Sequence, residues 1–186
     1  RDFCLSRGLG DVYKRQVPDV PRPYDRYYIS VDYGTVNPTS MGLWGRASGK
    51  WYRMREYYFD SRKEGRQRTD EEHYFELERL AGDLPIRAVI VDPSAASFIE
   101  TIRRHGRFYV EKASNSVLDG IRDVATRLQS GDIFFCECCT DCIREFGLYR
   151  WDEKAPMDRP IKENDHAMDD VRYFVHKIFA PEIFSF

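Results

Sequence analysis

Three short acidic stretches hold the residues whose types and spacing could do chemistry. Ile29-Ser30-Val31-Asp32-Tyr33-Gly34 and Ala88-Val89-Ile90-Val91-Asp92-Pro93-Ser94-Ala95 each run through apolar, β-favouring residues into a single aspartate. Asn164-Asp165-His166-Ala167-Met168-Asp169-Asp170-Val171-Arg172-Tyr173 adds a late acidic helix. Carboxylates at strand ends, completed by one from a helix, suit a pair of divalent ions about 4 Å apart of the kind that cleaves phosphodiesters. Such ions need hard oxygen ligands on rigid elements. Each residue alone has a plainer role. Asp32 before Gly34 fits a turn. Asp92 before Pro93 and Ser94 fits the start of a helix. Asp165 fits the N-cap of the last helix, whose dipole favours acid in the first turn. His166, Asp169 and Asp170, at i, i+3 and i+4, share one helix face. With Asp165 they place three like charges within two turns, a repulsion that cations would relieve.

The elements that must position these residues follow from hydrophobic period and turn chemistry. Residues 27–32, 40–46 and 51–59 read as an antiparallel three-strand meander, with turns at 34–38 and 47–50. Strict alternation along the third strand predicts Trp51, Arg53, Arg55 and Tyr57 on one face. Tyr52, Met54, Glu56 and Tyr58 then take the other. Thr69 with Glu72 three residues on is a capping box, and Gly82 and Pro85 end that helix. Residues 87–92 are apolar throughout their centre, as in a strand buried on both faces. Helices are expected over 94–105, 116–129, 140–151 and 165–179, with short strands at 108–111 and 133–135. The result is an α/β fold: a mixed sheet, antiparallel meander plus parallel strands, flanked by helices. If the first and fourth strands are neighbours, Asp32 and Asp92 stand side by side.

A chain of 186 residues, 42% hydrophobic and 15% aromatic, suffices for one domain with a substantial core. Its net charge of -2 neither marks nor excludes a nucleic-acid binder. Charge is patterned, however. Arg62, Lys63, Arg66 and Arg68 form one basic run, and Arg103, Arg104, His105 and Arg107 another. The plainer reading of each is a solvated face. No apolar run approaches the ~20 residues of a membrane span, and no signal peptide is evident, so a soluble protein is expected. Of five cysteines, Cys136, Cys138, Cys139 and Cys142 crowd into one C-x-C-C-x-x-C stretch. That spacing is too tight for four thiolates to reach one tetrahedral zinc, and reduced cysteines at an element boundary are expected. There is no G-x-x-x-x-G-K-[ST] loop; the nearest approach, Gly45 to Lys50, is one residue short and lies in a hairpin, so no nucleotide is expected. Residues 1–16 lack any sustained period and resemble translated adapter sequence or a disordered tail. Residues 17–26, with Pro18, Pro21 and Pro23, read as a linker, which suggests a longer protein upstream. The domain itself is expected over 27–180, with 181–186 as a tail.

In order and in this layout, the motifs ISVDYG, VIVDPSA, IREFGLYRWDEK and NDHAMDDVRYF resemble the C-terminal nuclease domain of the large terminase subunit of tailed bacteriophages, over residues 27–178. The resemblance implies an RNase H-like fold whose acidic residues hold two Mg²⁺ or Mn²⁺ ions. By motif match the ligands fall on Asp32, Asp92 and Asp169, with His166 beside them as ligand or proton carrier. Asp170 departs from the pattern and could change which aspartate binds the second ion. Tyr149-Arg150-Trp151 matches a stretch best read as structural. The resemblance also implies double-stranded DNA as substrate, cleaved during genome packaging in the bacterial host cytoplasm. The full protein would carry an N-terminal ATPase and meet a small terminase subunit and a portal.

The expected activity is metal-dependent endonuclease action, with Asp32 bridging two ions and Asp92 and Asp169 each holding one. Arg62, Lys63, Arg66, Arg103 and Arg104 would grip phosphates without reading bases. Three rivals remain at this point. One is a Holliday-junction resolvase or transposase-like nuclease of the same fold. Another is a non-catalytic module that binds DNA or a portal. The last is a zinc-stabilised interaction domain built on Cys136 to Cys142.

Overall fold

A computed structural model describes residues 12–152, 154–157 and 159–180. Among the described residues these elements follow in chain order: β1 (Gln16–Val17), β2 (Arg26–Asp32), β3 (Thr39–Ala47), β4 (Lys50–Phe59), α1 (Ser61–Glu64), α2 (Asp70–Ala81), β5 (Ile86–Val91), α3 (Ala96–His105), β6 (Val110–Lys112), α4 (Val117–Ser130), β7 (Ile133–Cys136), α5 (Thr140–Leu148) and α6 (His166–Phe179). The strands form one sheet in the order β1-β7-β4-β3-β2-β5-β6. β2, β3 and β4 pair antiparallel, and the outer pairs are all parallel, the mixed RNase H-like layout expected from the sequence.

Period-2 alternation sorts the strands between two cores. Val89 and Val91 of β5, with Ile29 and Val31 of β2, pack beneath Leu77 of α2 and Phe98 of α3. Ala88 and Ile90 face the other way, onto Val171 and Phe174 of α6. Asp32 and Asp92 have the even parity that points toward α6. Phe174 ties that helix to the sheet. It stacks on Trp44 with centroids 4.0 Å apart and meets Tyr28 and Trp51 edge-on. Burial of one such ring stabilises by roughly 1.5–3 kcal/mol.

The structure departs from simple alternation in β4. Leu43 pairs with Arg55 but Trp44 pairs with Arg53, so Met54 is an extra residue, a β-bulge. Beyond it the faces exchange. Arg53, Glu56 and Tyr58 all bond partners on the α5–α6 side, while Met54 and Tyr57 join the α2–α3 core. The predicted grouping of Arg53 with Arg55 and Tyr57 therefore fails at the bulge.

Residues 12–16, expected as part of a tail, pack against the sheet and α4. Val12 is buried, Arg15 Nε donates to Leu128 O at 2.8 Å, and β1 pairs with β7. Residues 1–11, including Cys4, and the 181–186 tail lie outside the described residues. The helix predicted over 140–151 stops at Leu148, and Trp151 instead bridges to Pro160. Among the described residues no helix is long and apolar enough to cross a membrane.

Candidate active site

Parallel pairing of β2 and β5 aligns Val31 with Val91, and Asp92 N donates to Val31 O at 3.3 Å. Asp32 and Asp92 thus leave neighbouring strands, whose backbones run about 4.8 Å apart. Helix α6 brings Asp169 to the same end. The convergence shows at Tyr173, one turn beyond Asp169. Burial, then the charges of Asp32, Asp169 and Asp92, push its phenol above the usual tyrosine range. All three sequence-predicted carboxylates are therefore near enough to Tyr173 to act on its charge.

Each of the three has a distinct local partner. Asp32 is buried, and its Oδ2 lies 2.9 Å from His166 Nδ1. Burial pushes the Asp32 carboxyl up to about 7; the His166 bond opposes this, and the charges of Asp169 and Asp170 add to it. Burial works against a charge on His166, but the bond to Asp32 and the charges of Asp32, Asp165 and Glu145 together outweigh it, and the imidazole pKa rises. The pair accordingly retains a proton toward neutral pH. Asp92 accepts from Ser94 N at 2.9 Å, the turn expected at a strand end. Asp169 accepts from Arg172 Nη2 at 3.0 Å and lies 3.7 Å from Lys162 Nζ.

Asp170, expected as a lesser ligand, does not face this cluster. Arg53 grips both its oxygens, at 2.5 and 3.0 Å. Ser30 Oγ donates to Oδ1 at 2.9 Å, and Ser40 Oγ donates to Oδ2. With its lone pairs taken by donors from β2, β3 and β4, Asp170 is an anchor for α6. Gly42 makes room for this, since a Cβ there would overlap the Arg53 guanidinium.

Two glutamates that the sequence reading passed over set the helices. Glu56 of β4 accepts from Asp141 N and Cys142 N, at 2.7 and 3.2 Å, and so caps α5. Glu145 of α5 accepts from Ala167 N at 2.6 Å and from Tyr58 Oη at 2.5 Å, and so caps α6. Orphan amides at both helix starts are thus satisfied from another element. The motif containing Ile143 to Tyr149 gains a physical role from this contact. Asp165, expected as the cap of α6, makes no side-chain cap bond. It is buried, 3.6 Å from Lys162 Nζ and 3.9 Å from His166 Nε2. Burial and the nearby Asp169 raise its pKa. The crowding of Asp165, Asp169 and Asp170 was the sequence signal for it.

The basic residues divide. Arg62 Nη2 meets Asn37 Oδ1 at 3.3 Å, on the loop that follows Asp32. Lys63 follows Arg62 on the one-turn helix α1, with Asp60 4.0 Å away, and Arg66 pairs with Glu72. Arg103 and Arg104 sit at the far end of α3, about 15 Å along its axis from the Asp92 turn, and Arg104 is paired to Glu71. The structure does not bring these two to the carboxylates.

The donor set is three carboxylates with an imidazole beside them. Burial first, and then the charges of Asp169 and Asp170, raise the Asp32 carboxyl to about 7. Both features fit a hard divalent cation. Among the described residues no three His, Cys, Asp or Glu side chains form a ready-made shell. Asp169 instead has two cationic neighbours, Arg172 and Lys162. Among the described residues the cysteines form no metal-holding group. Cys136, Cys139 and Cys142 are buried at the β7–α5 junction, and Cys139 Sγ donates to Arg53 O at 3.3 Å.

No protein-family model matches the chain. The large terminase from a thermophilic bacteriophage, in complex with ADP, superposes with a TM-score of 0.91 at 48% identity, over 96% of this chain and 46% of that one. A terminase large subunit of Escherichia phage T5 is 24% identical over 157 residues, 81% of this chain and 35% of that protein. The nuclease domain of the bacteriophage SPP1 large terminase, with bound Mn, shares the fold at a TM-score of 0.59 and 19% identity, over 84% of this chain and 88% of that one. The chain thus spans under half the length of the first two of these proteins. By sequence the chain matches a part of the large terminase subunits, and it shares the fold of the SPP1 large-terminase nuclease domain.

Proposed function

We propose that this domain is a metal-dependent endonuclease that cuts double-stranded DNA, and that in the longer protein it cuts concatemeric viral DNA during packaging. The observation that supports the reading is that Asp32 and Asp92 leave paired strands while α6, which carries Asp169, is bonded to Asp32 through His166. The Mn-bound SPP1 nuclease domain supports a divalent ion on this fold.

Asp32, Asp92 and Asp169 would hold two Mg²⁺ or Mn²⁺ ions, with Asp32 shared. Bound there, the ions supply a more acidic water and neutralise charge on the transferring phosphate. The protein's own groups do the rest. Asp32 must give up its proton before it can ligate, and His166 Nδ1, 2.9 Å away, is placed to accept it. Arg172 holds one oxygen of Asp169 and fixes its orientation. Asp170, gripped by Arg53, holds α6 in register with β2, so that Asp169 approaches Asp32 without a search. Arg62, Lys63 and Arg66, on the loop side of Asp32, would grip phosphates, which predicts little sequence preference. Where cutting occurs would be set by partners of the longer protein, namely its ATPase half, a small subunit and a portal. The work would take place in the host cytoplasm.

The test is supercoiled plasmid and a four-way junction, each incubated with the 186-residue chain in Mn²⁺ or EDTA. Nicking and linearisation of plasmid in Mn²⁺ alone, with no preference for the junction, is expected. Junction-selective cutting would favour a resolvase. No cutting by folded protein in any metal would favour a binding module and overturn the reading.

A further inference from the structure

Lys162 belongs to none of the roles above. It lies in the loop before α6, two-thirds exposed, with its Nζ 3.6 Å from Asp165 Oδ2 and 3.7 Å from Asp169 Oδ2. Both carboxylates are buried, at 4% and 8% exposure, so the ammonium reaches in from solvent to lie between two charges that repel each other. A lysine head is a compact monovalent cation on a flexible stem. It can neutralise such a pair and can also leave it at little cost, because its other face is already hydrated.

We propose that Lys162 is a built-in counter-cation of the metal site: its ammonium occupies the Asp165–Asp169 pair and is displaced when a divalent ion engages Asp169. The inference rests on the metal reading of the site given above. It makes Lys162 a positioning residue that offsets the repulsion of the two carboxylates while no ion is bound, and it makes Asp165 part of the ion's surroundings. Arg172 holds the other oxygen of Asp169 and is buried, so it is the fixed partner, and Lys162 is the exchangeable one. Displacement leaves Lys162 free to turn its head toward solvent, where a phosphate of bound DNA would be met.

The test is Mn²⁺ affinity, measured by the EPR signal of free Mn²⁺, for the 186-residue chain and for Lys162→Met, Lys154→Met and Asp169→Asn. Lys154→Met removes one charge from the same loop without touching the carboxylate pair. Lys162→Met is expected to tighten Mn²⁺ by roughly five- to tenfold, the scale of two exposed ion pairs, and Lys154→Met by less than about twofold. In the unsubstituted chain, acetylation of Lys162 by an amine-reactive ester, read by peptide mass, is expected to quicken when Mn²⁺ is added. Equal or weaker affinity in Lys162→Met, or equal gains in both lysine variants, would overturn the proposal while leaving the metal site standing. Mn²⁺ binding that Asp169→Asn leaves unchanged would instead remove the metal reading, and this proposal with it.

Discussion

Arg53 and Asp170 form a fully buried, two-pronged ion pair that ties the middle of β4 to the first turns of α6. Asp169, the adjacent residue, points the other way, toward Arg172 and Lys162. One step of helix, about 100° of rotation, separates an anchor from a proposed ligand. Removing one partner of a buried pair leaves an uncompensated charge. Asp170→Ala should therefore cost about 3–5 kcal/mol, and Asp170→Asn less, because the amide oxygen can still accept from Arg53. Chemical denaturation of the two variants checks this. A loss below about 1 kcal/mol in Asp170→Ala would remove the anchor from the account.

Gly120 lies inside α4, where Ala is ordinarily better by about 1 kcal/mol. Here a Cβ would overlap Cγ and Cδ of Arg172, whose stem fills that space on its way to Asp169. Gly120→Ala should destabilise by about 1–3 kcal/mol despite its helix propensity. It should also weaken Mn²⁺ binding, because Arg172 moves. A stabilised variant with unchanged Mn²⁺ affinity would show that the contact is loose.

Glu145→Ala should strip the cap from α6 and leave Ala167 N–H and the Tyr58 hydroxyl without their acceptor. The cost is about 1–3 kcal/mol for each buried group, with Glu145→Gln milder. Because Ala167 follows His166, cleavage should fall further than stability predicts when the variant is assayed well below its melting temperature. Equal losses in the two measurements would make Glu145 a purely structural cap.

Much of this arrangement was legible in the residues alone. The βββ meander, the capping box at Thr69 and Glu72, and the two apolar runs that end in Asp32 and Asp92 all follow from local rules that the tertiary structure obeys. What was not legible depends on contacts far apart in sequence. The bulge at Met54 shifts parity in the middle of β4, and no residue type there announces it. Glu56 and Glu145 look like ordinary surface acids until the helices they cap are brought beside them. Asp170 reads as a ligand because it neighbours Asp169; only Arg53, 117 positions away, shows its other role. Asp165 reads as a cap because it precedes a helix, a position Glu145 serves from another element.

His73 gives the fold a pH dependence separate from the metal site. It is buried against Tyr57, 3.1 Å from its hydroxyl, and burial, with Arg68 nearby, lowers its pKa from 6.5 to about 4. The folded state thus binds this proton less readily than the unfolded chain. The contribution is complete above pH 6.5 and is lost as pH falls from 6.5 toward 4, up to about 3 kcal/mol. His73→Gln should flatten the stability profile across that window, in urea titrations spaced between neutral pH and about pH 4. A profile with the same slope in both proteins would assign the acid sensitivity elsewhere.

Supercoiled plasmid cleavage in Mn²⁺ by the 186-residue chain, beside Asp32→Asn and Asp169→Asn shown to be folded, tests the central claim most directly. The account predicts nicking and linearisation by the unsubstituted chain, none in EDTA, and none by either variant. Cleavage by both variants at the unsubstituted rate, or cleavage that persists in EDTA, would contradict it.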